Sequence, residues 1–238
     1  MSSGRLIAAY IFGSVGRGHA DILSDLDILA VVKNNRGKVD ESEVLRFVPQ
    51  QYSHLKPSIS WYGALRVAEM FRNGELFSWH LYRETLPLFD PTRFLPSLGE
   101  PAVYKDCLQD VRSFRAILSS IPAQVQRSAM NAAYEAGLVY VCLRNIAMAA
   151  SWRLCDRPDF SRYSVFHLRS IRPCPVSVEE FDAAMHCRMA SQRGHQPPAI
   201  VTAAFIVNVF ARLDPWLDEL ECLLRREVNG RPNTTHAL

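Results

Sequence analysis

Residues 10–32 read YIFGSVGRGHADILSDLDILAVV. An apolar run that opens at Leu6, LIAAYIF, closes on Gly13, and a second, DILAVV at 27–32, opens on an aspartate. Short runs rich in apolar residues and bounded by glycine or polar residues predict buried strands. The ten residues Val15 to Ser24 lie between Gly13-Ser14 and Asp25-x-Asp27, room for a turn and a short helix joining neighbouring strands. Strand side chains alternate, so Asp25 and Asp27 share one face.

Carboxylates held that close repel one another unless a cation relieves them, and hard oxygen donors suit magnesium. Gly13 permits close backbone approach, and Ser14 with the amides of the following turn can donate to phosphate oxygens while Arg17 adds a cation. Phosphates at one end and a metal at the other are what in-line phosphoryl or nucleotidyl transfer needs.

These residues carry a family resemblance. FGSVGRGHADILSDLDILAVV resembles the signature of DNA-polymerase-β-like nucleotidyltransferases, specifically their minimal bacterial and aminoglycoside-modifying branch, with Gly13, Ser14, Arg17, Gly18, Ser24, Asp25 and Asp27 in register. LFSWHLYRETLPLFDP, residues 76–91, resembles the end of that domain more loosely. The helical second half resembles the bundle attached to aminoglycoside nucleotidyltransferases and the HEPN partners of minimal nucleotidyltransferases. The resemblance implies an α+β fold, a small mixed-sheet domain followed by an all-α helical bundle. It implies magnesium, with two ions allowed, and an NTP, ATP first, whose NMP passes to a hydroxyl of a small molecule such as an antibiotic. Asp25 and Asp27 would hold the metal, Gly13, Ser14, Arg17 and Ser24 the nucleotide, and Glu135 would be the base, as similar two-domain enzymes supply one from the helical domain.

The chain departs from that pattern in two places. About five residues precede the first strand, where family members usually carry a helix. In KPSISWYG the positions that commonly hold a third carboxylate carry Ser58 and Ser60, and a hydroxyl replaces a carboxylate neither as base nor as anionic ligand. A second reading follows: a toxin-antitoxin or defence component that nucleotidylates a protein, or a nucleotide-binding pseudoenzyme.

Outward from this stretch, DESEVLRFVPQQY at 40–52 predicts a short helix capped by Asp40 or Ser42, and SISWYG at 58–63 a third strand. ALRVAEMFRNG predicts a helix ending at Gly74, and ELFSWHLYRETLPLFD another that runs to the residue before Pro91. FDPTRFLPSLGEP, with its prolines and glycine, marks a domain boundary at residue 95. Helical spacing then recurs from Ala102 to about Ile121, from Ala123 to Leu154, from Ser177 to Gln192 and from Pro198 to Glu227, a bundle of four or five helices. It fills 96–230, and 231–238 reads as a disordered tail.

Glu135 lies in a helix apolar on most faces, and an ion pair with an arginine is its ordinary explanation. Arg162 and His167 match the R-x4-H spacing of HEPN ribonucleases in a loop context, so a core or surface histidine is the expectation. Trp61, Tyr62 and Trp79 read as packing.

A net charge of +3 from 27 basic and 24 acidic residues, without a run of like charge, argues against nonspecific nucleic-acid binding. The most apolar later stretch, 132–150, is broken by Glu135, Arg144 and Asn145, against a membrane span. None of the six cysteines forms a C-x-x-C pair, which fits reduced thiols in the cytoplasm. The expected partners are a nucleotide and a small-molecule or protein acceptor, with a homodimer left open.

Overall fold

The structure, a computed structural model, describes residues 6–230, so the expected disordered tail at 231–238 lies outside the described residues. The chain divides into two compact units, Met1–Lys105 and Asp106–Leu238.

In the first unit the order is β1 (Leu6–Phe12), α1 (Gly13–Gly16), β2 (Leu26–Val32), α2 (Glu41–Leu45), a 3-10 turn (Gln50–Tyr52), β3 (Pro57–Gly63), α3 (Ala64–Asn73), α4 (Leu76–Glu84), β4 (Leu86–Phe89) and α5 (Phe94–Leu98). The strands form a mixed sheet in the order β3-β2-β1-β4, parallel between β2 and β3 and antiparallel at the other two joints. Both faces are covered. Tyr10, Phe12, Leu29 and Val31 pack with Val67, Phe71, Leu81 and Leu95 of α3 to α5. Ile11, Leu26, Ile28 and Val32 pack with Val39 and Val44 around α2. Burial on both faces is why β1 and β2 read as continuous apolar runs, and each such side chain contributes about 1.5–3 kcal/mol. The α2 cap is Asp40, whose carboxylate accepts from the Ser42 amide at 2.9 Å.

The expected single helix over 75–90 is two elements. It stops at Glu84, and Leu86–Phe89 pairs antiparallel with β1, Ile11 opposite Leu86 and Tyr10 opposite Pro87. Pro87 cannot donate within a helix and pushes Leu86 out of the helical region, while an edge strand tolerates both effects. Beyond β4, the Tyr10 hydroxyl donates to Asp90 at 2.5 Å and accepts from the Leu95 amide at 3.0 Å. That node fastens α5 to the sheet, so the turn-rich segment beyond residue 95 packs within the first unit.

The second unit is a bundle of α6 (Cys107–Arg127), α7 (Ala132–Leu154), α8 (Val178–Arg193) and α9 (Ala203–Gly230). The expected break near Ile121 is absent, because α6 runs through Pro122. The proline forfeits one backbone bond there, and Ile121 and Val125 on either side are fully buried and hold the turn. Ser177 and Glu180 form a capping box at the start of α8. Arg112 and Arg115 of α6 and Arg225 of α9 converge on Glu221 of α9 at 2.5, 3.0 and 2.6 Å. Among the described residues no helix is long and apolar enough to cross a membrane.

Candidate functional site

The glycine turn and Asp27 meet at the junction of β1, α1 and β2. Phe12 pairs with Asp27 across the two strands, and Gly13 follows at φ +72°, a conformation that favours glycine. A Cβ at residue 13 would stand 2.8 Å from Asp27 Oδ2, so the turn lies directly against the carboxylate. Asp27 shares its parity with Leu29 and Val31, which face α3 and α4. Its neighbour on β3 is Ser58, and the parallel register continues with Ile28 beside Ile59 and Leu29 beside Ser60. Ile59 and Trp61 pack on the α2 side and Tyr62 on the α3 side, so alternation puts Ser58 on the face of Asp27. Asp25 stands one residue before β2 and, like Asp27 and Ser14, is half-buried.

Asp25, Asp27 and the Ser58 hydroxyl are hard oxygens, and among the described residues no group of three His, Cys, Asp or Glu side chains could hold a metal. Magnesium is commonly bound by one or two carboxylates, with water and phosphate oxygens completing its shell. The carboxylate lying against the Gly13 turn leaves little room for a side chain at residue 13.

Two expected nucleotide contacts are engaged within the protein. The Ser24 hydroxyl donates to the Asp21 carboxylate at 2.8 Å and accepts from the Asp21 amide at 3.0 Å, closing the turn that delivers Asp25. Arg17 Nη1 donates to Glu84 Oε2 of α4 at 2.5 Å, and His80 Nε2 stands 2.8 Å from the same oxygen. A Cβ at Gly16 would stand 2.1 Å from the Glu84 carbonyl oxygen, so α1 and the end of α4 touch backbone to backbone. Sequence reasoning missed Gly16, His80 and Glu84. The i, i+4 spacing of His80 and Glu84 shows that they share a helix face, but not that the face meets α1.

Glu135 lies in the first turn of α7 and is only 5% exposed. Among the described residues no ion pair or hydrogen bond reaches it, so the expected arginine partner is absent. Burial raises its carboxyl pKa. Arg162 lies in a turn and His167 just past a 3-10 turn, not on a long helix, and the half-exposed His167 meets Asp159 at 2.7 Å. That is a surface histidine. Trp79 donates to the Ala102 carbonyl at 2.9 Å, while Trp61 and Tyr62 pack on opposite faces of the sheet. All six cysteines are free thiols, and burial pushes Cys107 up to about 12.

Comparison with known proteins matches residues 2–60 to the model of a family described as "Nucleotidyltransferase domain". No curated protein matches the chain. Among solved structures, a nucleotidyltransferase-like protein from Exiguobacterium sibiricum matches with 13% identity and a TM-score of 0.36, covering 99% of this chain and 78% of its own.

Proposed function

We propose that this chain, which carries a polymerase-β-like nucleotidyltransferase domain at residues 2–60, transfers a nucleoside monophosphate, AMP first among them, from an NTP to a hydroxyl of a small-molecule acceptor. The observation that carries the reading is the contact between the Gly13 turn and the Asp27 carboxylate, 2.8 Å from where a Cβ would stand. It supports the reading, because phosphates held by the turn would lie beside a cation held by Asp27.

In this reading Asp25 and Asp27 hold magnesium, which when bound neutralises triphosphate charge and polarises the phosphorus under attack. Gly13 and Ser14 hold the triphosphate through the turn, and Arg17 adds a cation. Ser24 serves from behind by fixing the turn before Asp25. Glu135 takes the acceptor proton, a role supported by its lack of an ion pair and by the burial that makes its carboxylate a better base.

The reading is tested by incubating the protein with magnesium, labelled NTPs and a panel of hydroxyl acceptors that includes aminoglycosides. Label should pass to an acceptor, and Asp25→Asn should abolish the transfer. Transfer unaffected by that substitution overturns the assignment. Ser58 beside Asp27, where a third carboxylate is expected, favours a second reading as a nucleotide-binding pseudoenzyme. Magnesium-dependent NTP binding without label on any small molecule or protein selects it. Label on a protein instead selects protein nucleotidylation.

A further inference from the structure

We propose that Glu84, braced by His80, is a positioning residue of the nucleotide site that acts through Arg17. The inference rests on the reading of Arg17 as a contact of the triphosphate, and it supplies what holds that arginine in place.

Arginine–carboxylate pairs among the described residues differ in geometry; several use a single nitrogen, as exposed Arg169 does with Asp156, and Arg17 stands apart from that pair in being mostly buried, its side chain 17% exposed. Arg66 meets Glu75 with both terminal nitrogens, at 2.6 and 2.6 Å, the fork-to-fork geometry that satisfies a guanidinium. Arg17 meets Glu84 through Nη1 alone, at 2.5 Å. Its Nε is buried without a hydrogen-bond partner, and no bond from Nη2 is made to any described residue. Buried donors are ordinarily satisfied, so a guanidinium held by one corner in a nearly closed setting is under-bonded for a purely structural pair. It is the arrangement expected of a cation that is aimed by one oxygen and keeps donors for another anion.

Glu84 lies in a crowded setting: its Oε2 stands 2.8 Å from His80 Nε2, an atom that itself makes no hydrogen bond among the described residues, and the two side chains are 13% and 6% exposed. His80 is fixed in turn by edge contacts to Phe12 and Phe77, with ring centroids 5.6 and 6.1 Å away. Phe12 immediately precedes Gly13, so the brace returns to the turn it serves. The Gly16 backbone resting on the Glu84 carbonyl fixes the distance between α1 and α4 independently of side chains. Glu84 therefore holds the turn twice, through its backbone and through the Arg17 guanidinium. A triphosphate oxygen would take Nη2 while Glu84 keeps Nη1, so the two anions need not compete.

The test is nucleotide affinity in the full-length protein, measured by calorimetry with magnesium-ATP, with AMP as the control that lacks the tail phosphates, alongside the melting temperature and KM against kcat. Glu84→Gln keeps the size of the side chain and removes its charge. It should raise Kd and KM for ATP about tenfold, leave kcat within about twofold and leave AMP binding nearly unchanged. If Arg17 acts through Glu84, the double variant Arg17→Ala/Glu84→Ala should bind ATP no more weakly than Arg17→Ala alone. If the alanine variants fail to fold, Glu84→Gln with its melting curve decides alone. Unchanged ATP affinity in Glu84→Gln overturns the inference, as do equal losses for ATP and AMP or additive losses in the double variant. A wild-type protein that binds no NTP overturns the nucleotidyltransferase reading itself and the inference with it. A wild type that binds NTP while Glu84→Gln binds equally well overturns the inference alone.

Discussion

Gly13 and Asp27 touch: a Cβ on residue 13 would stand 2.8 Å from the Asp27 Oδ2 atom, across a strand pair in which Phe12 faces Asp27. The proximity couples the left-handed turn after β1 to the carboxylate of β2, so a side chain added at residue 13 has to displace the Asp27 carboxylate. It converts two features that are fourteen positions apart in sequence into one surface.

Gly13→Ala and Gly18→Ala separate backbone strain from that contact. Both glycines have positive φ, +72° and +73°, but nothing lies within 4 Å of a Cβ at Gly18. Each substitution should cost about 1–2 kcal/mol of stability from the left-handed backbone alone. Only Gly13→Ala should also push the Asp27 carboxylate aside and abolish magnesium-dependent NTP binding. Melting curves and nucleotide titrations on both variants check this. Equal nucleotide binding by the two would show that the Gly13 contact has no role in the site.

Ser58 offers the opposite experiment, a gain. Ser58→Asp places a carboxylate on the face of Asp27, one strand over, where the donor set is short of charge. Without metal, added repulsion should lower the melting temperature. With magnesium the variant should recover and bind the ion about tenfold more tightly than the wild type. Magnesium titrations followed by thermal melting read both effects, and identical responses of wild type and variant would place Ser58 away from the cation.

Much of this was legible in the sequence. β1 and β2 announce themselves because burial on both faces makes them continuously apolar, and the Gly13-to-Asp27 register carries the family resemblance. β4 was not legible, because LPLF follows nine helical residues without a turn signal and only its pairing with β1 makes it a strand. Helix α6 was cut short in prediction at Pro122, whose lost backbone bond is tolerated among buried neighbours. The engagement of Arg17 by Glu84 and of Ser24 by Asp21 was hidden for another reason: sequence gives residue types at a site, while their partners come from the packing of distant elements. The arginine expected beside Glu135 failed on the same ground.

The Glu221 cluster should give the second unit a specific acid sensitivity. Burial opposes ionisation of Glu221, but hydrogen bonds from Arg112, Arg225 and Arg115 outweigh it and hold the carboxyl down at about 2, against 4.5 for an ordinary glutamate. A folded pKa below the unfolded one gives stability that is present above the unfolded value and lost as pH falls through the folded one. Glu221→Gln should therefore destabilise by about 1–2 kcal/mol at neutral pH, the partial exposure of the arginines keeping the figure modest. The difference from wild type should shrink from about pH 4.5 downward and vanish near pH 2. Denaturant melts across that range test it, and a gap that persisted at pH 2 would assign the loss to packing.

Glu135 should trade stability for turnover. Its carboxyl pKa is raised by burial and no partner offsets the cost, so its ionised form is disfavoured in the folded state. With the folded pKa above the unfolded one, its stabilising contribution is complete below the unfolded pKa and is lost as pH rises through the folded one. Glu135→Gln removes that loss, so the variant should melt higher than the wild type at neutral pH and no higher in acid. If Glu135 takes the acceptor proton, the same substitution should lower kcat about a hundredfold or more with little change in NTP affinity. A role confined to packing predicts the opposite pattern, in which kcat is retained. Thermal melts and label-transfer rates on one variant across pH therefore separate a base kept at the expense of stability from a buried acid without a catalytic part.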